Sequence, residues 1–187
     1  MKVILKAIIL AVVSCALTTF SSAQDHATAT QSAVRTGNNE PGIETKFDHV
    51  KNETNVGFRL LLILSTETDK LLISVDGTYA TQAPTQHPGD VVFIISVMNK
   101  TGYKYPDVMA LNITADGKHL SPVSLANLDK RTVEGDYYET LGLRMDYDVF
   151  MQLATAREAD LQFSQTSIAL KNKHLAKLRE LANLLHL

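Results

Sequence analysis

Residues 160–187, DLQFSQTSIALKNKHLAKLRELANLLHL, change hydrophobic period once, and that change decides the architecture. Leu161 and Phe163 alternate with Asp160, Gln162 and Ser164. Ile168 and Leu170 resume the period of two beyond Ser164-Gln165-Thr166, the pattern of two strands joined by a tight turn. From Asn172 the period lengthens: Leu175, Leu178, Leu181, Ala182 and Leu185 fall on one stripe of a helix with about 3.6 residues per turn. A helix with one apolar stripe needs an apolar surface to lie on, so the passage predicts a sheet with a helix across it.

Upstream of this passage the chain supplies the strands. The apolar or alternating runs 58–64, 71–79, 91–98, 108–115 and 137–145 each read as a strand, with Asp76-Gly77 a turn or bulge inside the second. Asp116-Gly117 marks a hairpin whose return strand, 118–124, contains Pro122 and so belongs at an edge or a bulge. Leu125 to Gly135 reads as a polar connection. Asp146 or Asp148 caps a short helix through about Arg157, with Val149, Phe150 and Leu153 inward. The fold class is therefore α+β: an antiparallel sheet of about seven or eight strands, open or folded over into a sandwich-like half, with the short helix and the C-terminal amphipathic helix on one face.

The amino terminus points to export. Lys2 and Lys6 precede an apolar run from Ala7 to Phe20, which is followed by Ser21-Ser22-Ala23, a cleavage pattern of small residues. Val12-Val13-Ser14-Cys15 offers a second outcome, since it resembles the bacterial lipobox that ends in a lipidated cysteine. Cleavage after Ala23 gives a free protein, whereas lipidation at Cys15 gives a membrane-anchored one. Residues 24–44, rich in Ala, Thr, Gln, Ser and Asn, read as a flexible linker, and 45–187 as a single domain. Cys15 is the only cysteine, so the domain holds itself together without an internal disulfide. Loss of the two leader lysines leaves 16 basic residues against 20 acidic ones. That balance argues against nucleic acid as a partner, and leaves a membrane as one only through lipidation at Cys15.

Motifs for catalysis or cofactors do not emerge. The six histidines, His26, His49, His87, His119, His174 and His186, show no metal-ligand spacing. There is no Gly-x-Ser-x-Gly elbow and no glycine-rich phosphate loop. Glu134 with Asp136 reads as a loop, and Asp146 with Asp148 as a helix cap, not as acid–base pairs. The chain is thus expected to be non-enzymatic, with no cofactor and no metal. Two clusters stand out as candidate partner contacts. Tyr103, Lys104 and Tyr105, ahead of Pro106-Asp107, form an aromatic loop between strands. Lys173 and Lys177, with Lys171 and His174, gather at the start of the last helix, where exposed amides favour an anion.

Phe47-Asp48-His49-Val50-Lys51-Asn52-Glu53-Thr54, taken with Ile168-Ala169-Leu170-Lys171-Asn172-Lys173-His174-Leu175-Ala176-Lys177-Leu178, resembles a set of small exported bacterial proteins of uncharacterised function. The resemblance spans roughly residues 45–185 and implies a periplasmic or envelope-associated domain, but assigns no site. The expectation is an exported bacterial envelope domain, periplasmic or secreted, that binds a protein or envelope component through a sheet edge or the Tyr103–Asp107 loop. The alternative is a carrier holding an apolar small molecule between sheet and helices, beneath Leu175, Leu178, Leu181 and Leu185.

Overall fold

A computed structural model of the chain describes residues 42–186. The expected leader, the Cys15 lipobox and nearly all of the 24–44 linker lie outside the described residues. The elements are β1 (Ile43–Asp48), β2 (Glu53–Ser65), β3 (Asp69–Tyr79), β4 (Asp90–Asn99), β5 (Val108–Ala115), β6 (Lys118–His119), β7 (Val123–Val133), β8 (Asp136–Asp146), α1 (Tyr147–Thr155), β9 (Ala159–Phe163), β10 (Thr166–Leu170) and α2 (Asn172–Leu185).

The fold is α+β, and its strands join into one antiparallel sheet in the order β1-β2-β3-β4-β8-β7-β5-β9-β10, with β6 beside β5. This single ten-stranded sheet corrects the expectation of seven or eight strands, and it takes the place of the sandwich alternative. Two strands escaped the sequence reading. One is β1, which begins at Ile43, two residues before Thr45. The other is the far half of β7, expected as the polar connection. Leu128 to Val133 are all exposed, which leaves no buried alternation to read. The ladder is set instead by a two-residue turn: Glu134 (φ 53°) and Gly135 (φ 89°) both adopt the positive φ of a hairpin whose twist matches its strands.

One face of the sheet carries the core. Val91, Phe93, Ile95 and Val97 of β4 point inward with at most 3 % of their surface accessible. Their inward neighbours on β8 are Leu141, Leu143 and Met145. Both helices pack on this side. Phe150 and Leu153 of α1 are buried, and Phe150 meets Phe93 edge-on at 6.1 Å. The α2 stripe is buried as its spacing requires: Leu178, Leu181 and Leu185 have no accessible surface. Each such leucine contributes about 1.5–3 kcal/mol by leaving water.

The placement of α2 bends the sheet. The helix touches both β2 and β10, which stand near opposite ends of the strand order, and those two strands also touch each other. The sheet is thereby curled around its helices like an unclosed barrel. At the helix start, Nδ1 of His174 accepts the backbone N–H of Lys171 at 3.1 Å, the return half of a capping box with histidine in place of the usual Glu or Gln. At its end, the Tyr79 hydroxyl donates to the Leu185 carbonyl at 3.1 Å. Burial, with Tyr147 nearby, pushes the Tyr79 phenol up to about 12, so it remains a donor at every physiological pH.

Gly77, expected as part of a turn or bulge, stays within β3, two residues before its end, and gives the helix its seat. A Cβ there would stand 2.6 Å from Leu185 Cδ2. Gly77→Ala should push α2 off the sheet and cost about 1–3 kcal/mol, as overpacking does. Leu178→Ala, which leaves a cavity in the same layer, should cost about 2–5 kcal/mol. Urea unfolding monitored by circular dichroism measures both; an unchanged midpoint for Gly77→Ala would mean the helix is not held where described.

Candidate functional site

The loop between β4 and β5 runs 100–107 and begins with a polar knot. Asn99, fully buried at the end of β4, accepts with Oδ1 the backbone N–H groups of Thr101 (2.6 Å) and Gly102 (3.0 Å), so the strand closes into a side-chain-defined turn. Its amide nitrogen donates to Oδ1 of Asp69 at the start of β3. The loop is fixed a second time from below. Glu139 of β8, 1 % accessible, accepts the backbone N–H of Lys104 at 2.9 Å and of Tyr105 at 3.2 Å, and a third hydrogen bond comes from Asn127 Nδ2 at 3.0 Å. A buried carboxylate is tolerated when charge-assisted hydrogen bonds replace its water, and here they come mainly from loop backbone.

This double anchoring points successive side chains in different directions. Tyr105 turns inward, 5 % accessible, against Phe163 at 5.3 Å, and its hydroxyl lies 2.9 Å from Thr166 Oγ1. Burial pushes the Tyr105 phenol up, with the charges of Asp69 and Glu139 adding to it and the Thr166 hydrogen bond opposing it. Lys104 reaches the other way, with Nζ 2.8 and 2.9 Å from the two carboxylate oxygens of Asp69. Tyr103 is 45 % exposed, its ring edge-on to Tyr137 and its hydroxyl 3.0 Å from Thr132 Oγ1.

Between this loop and the tips of the β2–β3 and β9–β10 hairpins lies a groove of about 520 Å³, lined by Leu64, Asp69, Lys104, Tyr105 and residues 164–167. Ser164 holds φ at 49° in the two-residue turn, a position where glycine carries no steric penalty, and so places a hydroxyl at the groove instead of bare backbone. Burial alone would raise the Asp69 carboxyl. Hydrogen bonds from Lys104, Asn99 and Thr68, together with the Lys104 charge, outweigh it and hold the group below its ordinary 3.8. The groove thus offers one carboxylate, one ammonium and several hydroxyls on a rigid frame.

The sequence singled out Tyr103, Lys104, Tyr105, Lys173 and Lys177. The structure brings Lys104 and Tyr105 to the groove and leaves Tyr103 on the flank facing β8. The second cluster does not assemble as an open cationic patch. Lys177 lies on the buried side of α2 with 7 % of its side chain accessible, paired to Glu180 at 2.7 Å. Its position, one residue before Leu178, puts its methylenes in the core layer and only its tip at Glu180. Lys173 is exposed. Asp69, Thr166 and Ser164 were missed, since nothing local to them announces a groove made by two hairpin turns and a crossover loop. Among the described residues no cluster of His, Cys, Asp or Glu is arranged to hold a metal ion. The described residues also line an apolar hollow of about 410 Å³ around Ile94, Leu128 and Gly142, and one of about 310 Å³ by the 80–89 loop.

Glu139→Gln exchanges a charged acceptor for a neutral one and should cost about 1–3 kcal/mol. It should also speed amide exchange specifically at Lys104 and Tyr105, as read by mass spectrometry; uniform loosening would count against a dedicated loop anchor. For Asp69 the folded-state value is depressed, so its contribution is fully present above 3.8 and is lost as pH falls through the lower folded value. Between about pH 5 and pH 3 the wild type should lose more stability in urea titrations than Asp69→Asn does. Comparison with protein-family models, with curated proteins and with solved structures finds no match to the chain, so the functional reading rests on this geometry.

Proposed function

We propose that the chain is a non-catalytic binding domain exported to a bacterial envelope, and that it holds a polar protein segment or envelope component in the groove formed by Asp69, Lys104, Tyr105, Ser164 and Thr166. The observation that carries this reading is the fixation of the 100–107 loop. Two buried polar side chains, Asn99 and Glu139, are committed to backbone amides of that loop. Pre-ordering a surface loop lowers the conformational cost of binding, which is where rigid sites gain affinity. The export part follows from the basic-then-apolar amino terminus, with the domain periplasmic, secreted or anchored through Cys15.

The carrier reading needs space beneath the α2 stripe. The three hollows described above are lined by other residues, and none of them lies beneath Leu175, Leu178, Leu181 or Leu185.

The test is a thermal-shift screen of the purified protein against soluble envelope components: cell-wall glycan fragments, cell-wall peptides and peptides from envelope proteins. A ligand present at about a hundred times its Kd should add ~2.7 kcal/mol of stability. Lys104→Ala, which alters a partly exposed side chain, should weaken a ligand of this groove by about tenfold, ~1.4 kcal/mol. Ligands that shift wild type and Lys104→Ala equally would sink the groove as the site.

A further inference from the structure

The hydrogen-bonding capacity of the groove is unevenly used. A carboxylate has about four lone-pair sites, and those of Asp69 are all met: Asn99 Nδ2 and Lys104 Nζ donate to Oδ1, Thr68 Oγ1 and Lys104 Nζ to Oδ2. Asp69 therefore has nothing left for a ligand, and its part is to hold Lys104. An ammonium has three N–H donors, and Lys104 gives two of them to Asp69. The third meets no acceptor among the described residues, and 39 % of the Lys104 side chain is accessible. A second donor stands in the same groove. Tyr105 and Thr166 share one hydrogen bond between their hydroxyls at 2.9 Å. The buried phenol is assigned as its donor, because an O–H left unmade costs more inside the protein than at its surface. The Thr166 hydroxyl hydrogen then remains for the groove that Thr166 lines.

Two donors beside a filled carboxylate select a ligand oxygen that accepts, and charge decides its kind. Lys104 is already neutralised by Asp69, so an anionic ligand would set a second negative charge next to Asp69 and lose its own water for little return. A carbonyl oxygen brings two lone pairs and no net charge. The walls decide what the carbonyl is attached to. Leu64 is the one aliphatic side chain in the lining; a register shift in β2 between Leu62 and Leu64 sets it opposite the buried Leu71, and it stands half-buried at the mouth. The facing wall, Ser164-Gln165-Thr166-Ser167, is a run of uncharged side chains that each donate and accept. Sugar hydroxyls have the same two-way capacity. A peptide would ask for apolar pockets at alternate positions, and Leu64 alone does not make them.

We propose, resting on the binding-domain reading, that the groove takes an N-acetylated amino sugar. Its acetamido carbonyl accepts from Lys104 Nζ and from the Thr166 hydroxyl, its acetyl methyl lies on Leu64, and its ring hydroxyls exchange hydrogen bonds with residues 164–167. Asp69 is a positioning residue: it fixes two N–H groups of Lys104 and leaves the third for the ligand. The volume of about 520 Å³ is that of an ordinary small-ligand cleft. Removal of the acetyl group would replace the carbonyl by an ammonium facing Lys104, and two like charges there repel.

The probe is triacetylchitotriose, titrated calorimetrically into the full chain as recovered from a bacterial host, beside its de-N-acetylated form, the glucose trimer cellotriose and an N-acetylated tripeptide amide. The proposal expects the acetylated trimer to bind at least about tenfold tighter than either other sugar. Lys104→Met, which keeps the stem and removes the N–H groups, should abolish that preference, whereas Thr166→Ser, which retains the hydroxyl, should bind as wild type does. Saturation-transfer NMR on the wild type needs no variant: transfer should be greatest at the acetyl methyl protons, and equal transfer over the ring protons would overturn the placement. If cellotriose binds equally well and still depends on Lys104, the acetamido assignment falls while the groove stands as a binding site. If the peptide amide displaces the sugar on equal terms, the sugar is overturned in favour of a peptide. If none of these compounds binds, the proposal falls, and the binding-domain reading is judged by the broader screen above.

Discussion

The structure depends on a sheet too wide to stay flat being held by one helix. α2 reaches β10, from which it emerges, and β2 at the other end of the strand order, and its leucines fill the layer between them. The curl, the incomplete closure and the groove at the mouth all follow from that span. Gly77 is the local condition for it, since only a residue without a side chain lets Leu185 settle on β3. Without α2, the inward faces of β2 and β10 would lose the layer that covers both of them.

The second organising constraint is polar. Glu139 occupies an inward position in a strand whose other inward residues are Leu141, Leu143 and Met145. Such a substitution in an apolar row is unfavourable unless its hydrogen bonds are complete. They are supplied by the loop above it, so the stability of the core and the shape of the groove are coupled through one carboxylate. A change in the loop is felt in the core, and a change in the core strand is felt at the groove.

The parts legible from sequence were those fixed by local periodicity. The α2 stripe and the β5 boundaries could be read because alternation and helical spacing report directly on burial. β1, the outer half of β7 and the straight passage of β3 through Gly77 could not, because there the pairing partner or the overlying helix sets the backbone. Glu139 lies in a run that reads as a strand, but no local pattern shows that it anchors a loop 35 residues away. The site divides the same way. Lys104 and Tyr105 belong to a conspicuous loop, whereas Asp69 and Thr166 join it across 35 and 61 residues of chain. A groove built from hairpin tips is a property of the curl, and the curl is written only in long-range packing.

That packing orders events in time. The contact from Tyr79 to Leu185 bridges 106 positions, and α2 follows every strand in chain order. Early strands therefore wait for a late helix before their shared core can close, and contacts so distant in sequence make folding slow. A polypeptide built this way cannot complete its core until α2 has been made.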